Sequence, residues 1–289
     1  MIIIEKPIFV FTLHRSGSTY IKNIIDFTDE VKMLEDEVHF DHPFFFNTFR
    51  KYYHKYCKDN PGNYNYFLDV ITDKKLRGAF WEHYKNRYNN FYDSKKYLNE
   101  ADKITVWESF DSILRQVLKD SKKKRIGIKY PAHHKYYKDF RKQYPHAKNI
   151  FLVRDPRAIT ASKIISPTNN RLKNKGKIIY EAVRMFTIFY FIIEFNSFAK
   201  TIINDNSVKH IIKYENIVSN KKKQIKDLCD FAEINFRSDM LHVKGKQSGY
   251  NNQFNIKNKI NRWTIVLRKY ERTLINFFTK KYRQDLGYE

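Results

Sequence analysis

Short apolar runs alternate along the chain with longer stretches of helical spacing. "PIFVFTL" (7–13), "RIGIKY" (125–130), "KNIFLV" (148–153) and "VKHIIKY" (208–214) are of strand length and rich in β-branched residues. Helix-like spacing at Ile21, Ile24 and Ile25 follows the first run. Further helical patterns cover roughly 133–143, 156–166, 177–203 and 219–232, and a closing helix covers about 260–283. Strands alternating with helices predict an α/β fold, a central parallel sheet flanked by helices on both faces. Asp155 and Pro156 fit the N-cap and first position of one helix, and Gly287 fits the C-cap of the last.

Residues 41–120 depart from this rhythm. They are rich in Tyr, Phe, Asn and Lys with mostly helical spacing, and read as an insertion packed over the sheet edge of a single domain spanning 1–289. "MFTIFYFIIEFNSFAK" (185–200) is the most apolar segment, flanked by Arg184 and interrupted by Glu194. It falls short of the roughly 20 apolar residues that span a bilayer, so the expectation is a buried helix and no transmembrane segment. At the N-terminus Glu5, Lys6 and Pro7 interrupt "MIIIEKPIFVF", which reads as the approach to a strand and not as a signal peptide.

Composition narrows the class. Hydrophobic residues make up 42% and aromatics 17%, with 8 Gly and 7 Pro, which excludes a disordered or fibrous chain. Cys57 and Cys229 form no disulfide framework, so a reducing, cytoplasmic setting is expected. The net charge of +24 favours anionic ligands. The lysines are scattered, and "KKKR" (122–125) and "KKK" (221–223) read as solvated ends of elements, so dedicated nucleic-acid binding is not expected.

Candidate chemistry begins at "TLHRSGST" (12–19), between the first strand and its helix. Backbone N–H groups at a helix N-terminus make an anion site, to which Ser and Thr hydroxyls add donors. The ATP-binding cradle needs G-x-x-x-x-G-K-[ST]. Here Thr12 stands at the first Gly position and Ser18 at the Lys position, while Arg15 offers a fork for two anionic oxygens. A second junction, "NIFLVRDPRAITASKI" (149–164), puts Arg154 at a strand's carboxyl end and Ser162 about two helical turns on. "IGIKYPAHH" (126–134) ends a strand with Lys129 and His133. "MLEDEVHFDHPF" (33–44) carries Glu35, Glu37 and a His39–Asp41–His42 group, which no Cys or further spaced ligand joins, so no metal site is expected.

Together these segments resemble the sulfotransferases that use 3′-phosphoadenosine-5′-phosphosulfate (PAPS). "TLHRSGSTY" is similar to the family's 5′-phosphosulfate loop, P-R-S-G-[TS]-T, with His14 in place of the usual Pro. R-D-P-R-A with a following Ser resembles the 3′-phosphate motif, and K-x-P-x-H is matched by Lys129 to His133. "HIIKYENIVSN" and "VKGKQSGYNNQFNIKNKINRW" resemble the family's later segments, the second being the basic loop that closes over the cofactor. The resemblance implies a P-loop-like fold and transfer of a sulfonate to an acceptor hydroxyl without a required metal. It assigns Arg15, Lys129, Glu37 and His133 to catalysis, with Glu35 as the second choice of base. It assigns Arg15, Ser16, Gly17, Ser18, Thr19, Arg154, Ser162, Tyr214, Lys244, Lys246 and Ser248 to the cofactor, with Lys257 a further candidate donor. The implied acceptor is a hydroxylated molecule, an anionic glycan among the options. Oligomeric state carries no signal in the sequence. Rival readings are an atypical P-loop kinase and a nucleotide-binding protein without catalysis.

Overall fold

In a computed structural model of the chain, the described residues are 4–34, 114–115, 118–119, 121–131, 133–166, 174, 176–243, 245–246, 253–254 and 260–289. The chain divides into two compact units. The smaller comprises Met1–Glu5 and Val38–Ile126, and nearly all of the segment read as an insertion lies outside the described residues. Within that unit Leu114 and Leu118 are buried. The Ser121 hydroxyl there donates to Leu118 O and accepts from Lys123 N.

The larger unit, Lys6–Glu37 and Gly127–Glu289, carries the sheet. Its first elements are β1 (Ile8–Thr12), α1 (Ser18–Asp26) and β2 (Val31–Met33). β3 (Arg125–Pro131) leads through a 3₁₀ turn (His133–Tyr136) into α2 (Tyr137–Gln143), then β4 (Lys148–Val153) and α3 (Pro156–Ile164). The long α4 (Lys177–Ile203) precedes β5 (His210–Lys213), α5 (Tyr214–Ser219) and α6 (Lys221–Ala232). A two-stranded ribbon, β6 (Gly245–Lys246) with β7 (Gln253–Phe254), comes before α7 (Trp263–Val266) and α8 (Lys269–Asp285).

Strand order in the main sheet is β2-β3-β1-β4-β5. β1 pairs in parallel with β3 and β4, and β4 with β5, setting Thr12 opposite Pro131 and Leu152, and Val153 opposite Lys213. The carboxyl ends of four strands therefore share one edge, where open α/β sheets bind ligands. The two-residue alternation of β1 explains the two cores. Ile8 and Val10 face α1 and α6, with Ile21, Ile24, Ile150, Leu152, Ile212, Ile225 and Leu228. Phe9 and Phe11 face the other way, where Phe140 lies 5.2 Å from Phe9 and Tyr137 lies 5.2 Å from Phe11, ring centre to ring centre. Full burial of each Phe contributes about 2–3 kcal/mol.

The strands at 125–130 and 148–153 and the helix at 177–203 fall where periodicity puts them. Four differences stand out. β2 has three residues, too few for a pattern; Met33 N donates to Asp26 Oδ1 and Leu34 N to Gly127 O, and these bonds hold it in place. The run at 208–214 yields a shorter strand, because Tyr214 already begins α5. The closing helix breaks before α8, where Arg268 is extended and its N–H is capped by the Glu271 carboxylate. Leu267 is buried at that break with Ala161, Ile164, Ile188 and Ile275. Finally, α4 is buried along one face only: Phe195 and Phe198 are enclosed, while Phe186 is 71% and Ile193 65% exposed. Among the described residues no helix is long and apolar enough to cross a membrane.

Candidate functional site

The loop between β1 and α1 lies at the carboxyl edge of the sheet. Thr12 Oγ1 donates to Leu152 O, tying the loop's start to β4, and Ser16 N donates to Leu13 O. Arg15 is exposed and holds a left-handed φ of +70°, unusual for a residue with a Cβ. Gly17 is also left-handed at +90° and caps α1 without a side-chain bond to the helix. A Cβ at Gly17 would stand 2.6 Å from the ring of Tyr214, so glycine is needed on steric and conformational grounds. Ser18 is buried and Thr19 half-buried in the first turn of α1.

The distant motif residues converge here. Arg15 Nε donates to Ser162 Oγ at 3.2 Å, and Arg154 Nη1 donates to the Arg15 carbonyl at 2.8 Å. These bonds join residues 147 and 139 positions apart. Asp155 caps α3 by accepting from Arg157 N, with Pro156 in the first turn, so the capping chemistry legible in the sequence aims the Arg154 end of β4 at the loop. The Arg154 guanidinium lies 4.2 Å over the Tyr214 ring. Tyr214 thus touches both the Gly17 turn and Arg154, and burial raises its hydroxyl pKa above the ordinary value. Burial, then the Arg15 charge, lowers the Lys163 pKa.

Two polar atoms in this cluster are buried with no hydrogen-bond partner among the described residues: Ser16 Oγ and Arg154 Nε. Buried polar groups are normally bonded, so such atoms beside a helix N-terminus suit an anionic ligand with several oxygens. Lys129 is buried on β3 opposite Val10, one strand from the loop. His133 begins the 3₁₀ turn. The neighbouring His134 is buried and bonded through Nε2 to Ser197 Oγ. Lys246 lies in β6 opposite Gln253. Glu35, Glu37, Lys244, Ser248 and Lys257 lie outside the described residues, as does the His39–Asp41–His42 group. Among the described residues no three His, Cys, Asp or Glu side chains are grouped to hold a metal ion.

Glu215 is a site neighbour to which its sequence pattern assigned no role. Its carboxylate accepts from Asp155 N and from the Tyr288 hydroxyl. The signal available was the Tyr-Glu pair after a strand, whose partner stands at the far end of the chain.

Comparison with known proteins agrees with this geometry. The model of the sulfotransferase family matches residues 7–238. No curated protein sequence matches the chain. Among solved structures, the sulfotransferase domain from the curacin biosynthetic pathway superposes with a TM-score of 0.61 at 14% identity, covering 99% of both chains. The sulfotransferase domain from the Synechococcus PCC 7002 olefin synthase gives 0.58 at 16% identity, covering 99% of this chain and 96% of its own. A mouse sulfotransferase complexed with PAP, the nucleotide left when PAPS gives up its sulfonate, gives 0.50 at 11% identity, covering 99% and 87%.

Proposed function

The chain belongs to the sulfotransferase family, and from that premise we propose that it transfers a sulfonate from PAPS to the hydroxyl of an acceptor. The observation that carries this reading is the convergence of Arg15, Arg154 and Ser162 on one loop at the sheet edge. The residues fit the nucleotide: Ser16 Oγ and Arg154 Nε are buried polar atoms with no hydrogen-bond partner among the described residues, and Gly17 caps α1 without a side-chain bond to the helix.

The nucleotide, when bound, supplies a sulfonate activated by its anhydride bond to phosphate. Arg15, Ser16, Gly17, Ser18 and Thr19 hold the 5′ end, and Arg154 and Ser162 hold the 3′-phosphate. Tyr214 supports both groups through its contacts with Gly17 and Arg154. Lys244, Lys246 and Ser248 are the further cofactor residues that the family resemblance assigns. Arg15 and Lys129 place fixed positive charge where negative charge grows during transfer, as preorganised cations do in phosphoryl transfer. Glu37 takes the proton from the acceptor hydroxyl, with Glu35 and His133 as the alternatives. The catalytic unit is a single domain across 1–289, and its acceptor is a glycan or another small hydroxylated molecule. The net charge of +24 favours an anionic one. The buried, free Cys229 suits a reducing, cytoplasmic setting.

Thermal unfolding tests the reading directly. PAP should raise the melting temperature far more than ATP with magnesium; the reverse order would hand the site to a kinase-like activity. Glu37→Gln should lower turnover of labelled sulfonate while leaving PAP affinity unchanged. A normal rate moves the base to Glu35 or His133.

A further inference from the structure

The C-terminal turn closes onto the strand ends that carry the candidate phosphate residues. Tyr288 donates its hydroxyl to Glu215 Oε2 at 2.8 Å, and Glu215 Oε1 accepts Asp155 N at 3.1 Å. Glu215 therefore joins the end of β4 to the start of α5. The residue before Asp155 is Arg154 and the residue before Glu215 is Tyr214, so the bridge brackets the stacked Arg154–Tyr214 pair. Burial and the Glu215 charge raise the Tyr288 hydroxyl pKa well above the ordinary range, so it remains a donor at neutral pH.

The turn is fastened on its other side too. Lys213 Nζ donates to Gly287 O at 3.0 Å, and Arg157 Nη2 donates to Glu289 O at 2.9 Å. Arg157 also grips the Asp155 carboxylate, Nη2 to Oδ2 at 2.6 Å and Nε to Oδ1 at 3.0 Å. Gly287 permits this closure: its φ is +69°, and a Cβ there would stand 2.7 Å from Lys213 Nζ.

We propose that Tyr288, acting through Glu215, is a positioning residue that sets selectivity for the 3′-phosphate by fixing Arg154 against Tyr214. The proposal rests on the PAPS reading of the site. Arg154 leaves β4 with Nη1 bonded to the Arg15 carbonyl and Nε unbonded, so its aim is set by that bond together with the peptide that follows it and the ring beneath it. Glu215 and Tyr288 hold the last two. A strap that served stability alone would weaken the binding of every adenine nucleotide alike. A strap that aims Arg154 weakens chiefly the nucleotides with a 3′-phosphate.

The test compares dissociation constants for PAP and for AMP, which lacks the 3′-phosphate, in wild type and in Tyr288→Phe. Loss of this charge-assisted bond should weaken PAP about tenfold and AMP less than about twofold. Glu215→Gln, which keeps one acceptor oxygen for two donors, should shift the ratio the same way, and it carries the test if the Tyr288 variant does not fold. Equal weakening of PAP and AMP, or a lower melting temperature with an unchanged ratio, overturns the proposal while leaving the PAPS reading intact. A wild type that binds PAP no better than AMP overturns both, and that result is visible before any variant is made.

Discussion

Arg15 shows how much chemistry one residue concentrates. Its left-handed backbone turns the carbonyl toward Arg154 while its side chain reaches Ser162, so one residue links β1, β4 and α3. Holding a residue with a Cβ at φ +70° costs on the order of 1 kcal/mol, and the fold sustains that cost at the carboxyl edge of the sheet. Arg15→Ala removes an exposed side chain and its bond to Ser162, so stability should fall by only about 1 kcal/mol. Transfer of labelled sulfonate should fall by about 10²–10³, the usual loss when one preorganised donor is deleted. Full retention of transfer would take Arg15 out of the chemistry. The loop was legible as an anion cradle because strand, Gly and helix follow one another within a dozen residues. The need for glycine at position 17 was legible only in part: the turn is local, but the Tyr214 ring that excludes a Cβ comes from nearly 200 residues away.

At the scale of elements, α4 and α8 are held by a buried ion pair. Arg184 Nε and Nη2 both donate to the Glu271 carboxylate, and Nη2 also donates to Val266 O at 2.7 Å. Glu271 is fully buried and caps α8 as well, so its bonds meet the desolvation cost of both charges. Glu271→Ala would strand the Arg184 charge and should cost about 3–5 kcal/mol in urea unfolding. The half-exposed pair of Glu181 on α4 with Arg268, the N-cap of α8, should show little effect when Glu181 is replaced by Gln. A loss at Glu271 no larger than at Glu181 would contradict this account. Periodicity marked both helices, yet it placed Arg184 at the border of an apolar segment and left Glu271 as one acid among many. Their pairing needs the two helices side by side.

For the whole molecule, Glu233 joins the chain's beginning to its later half. After α6 it accepts from Lys148 Nζ at 2.5 Å and from Lys6 Nζ at 2.7 Å, across 85 and 227 positions. The Lys148 bond first, then Lys6, lowers its pKa from 4.5 to about 2. A carboxylate depressed on folding stabilises above its unfolded value and loses that contribution as pH falls toward its folded value. The melting temperatures of wild type and Glu233→Gln should therefore differ most above pH 4.5 and converge as pH falls to about 2. A gap that widens on acidification would refute the assignment.

The sequence by itself determined the α/β alternation, the position of the strand edge, the anion-binding loop and the capped Arg154 junction. Each of these is written in residues close together in the chain. The tertiary structure alone decided which of them meet. Parallel pairing of β1 with β4 brings Arg15 to Arg154, α3 presents Ser162, and the last turn returns Tyr288 to Glu215. The physical reason is range: capping, turn geometry and hydrophobic period act over a few residues, whereas a binding site forms where a sheet ends and collects side chains from every strand it holds.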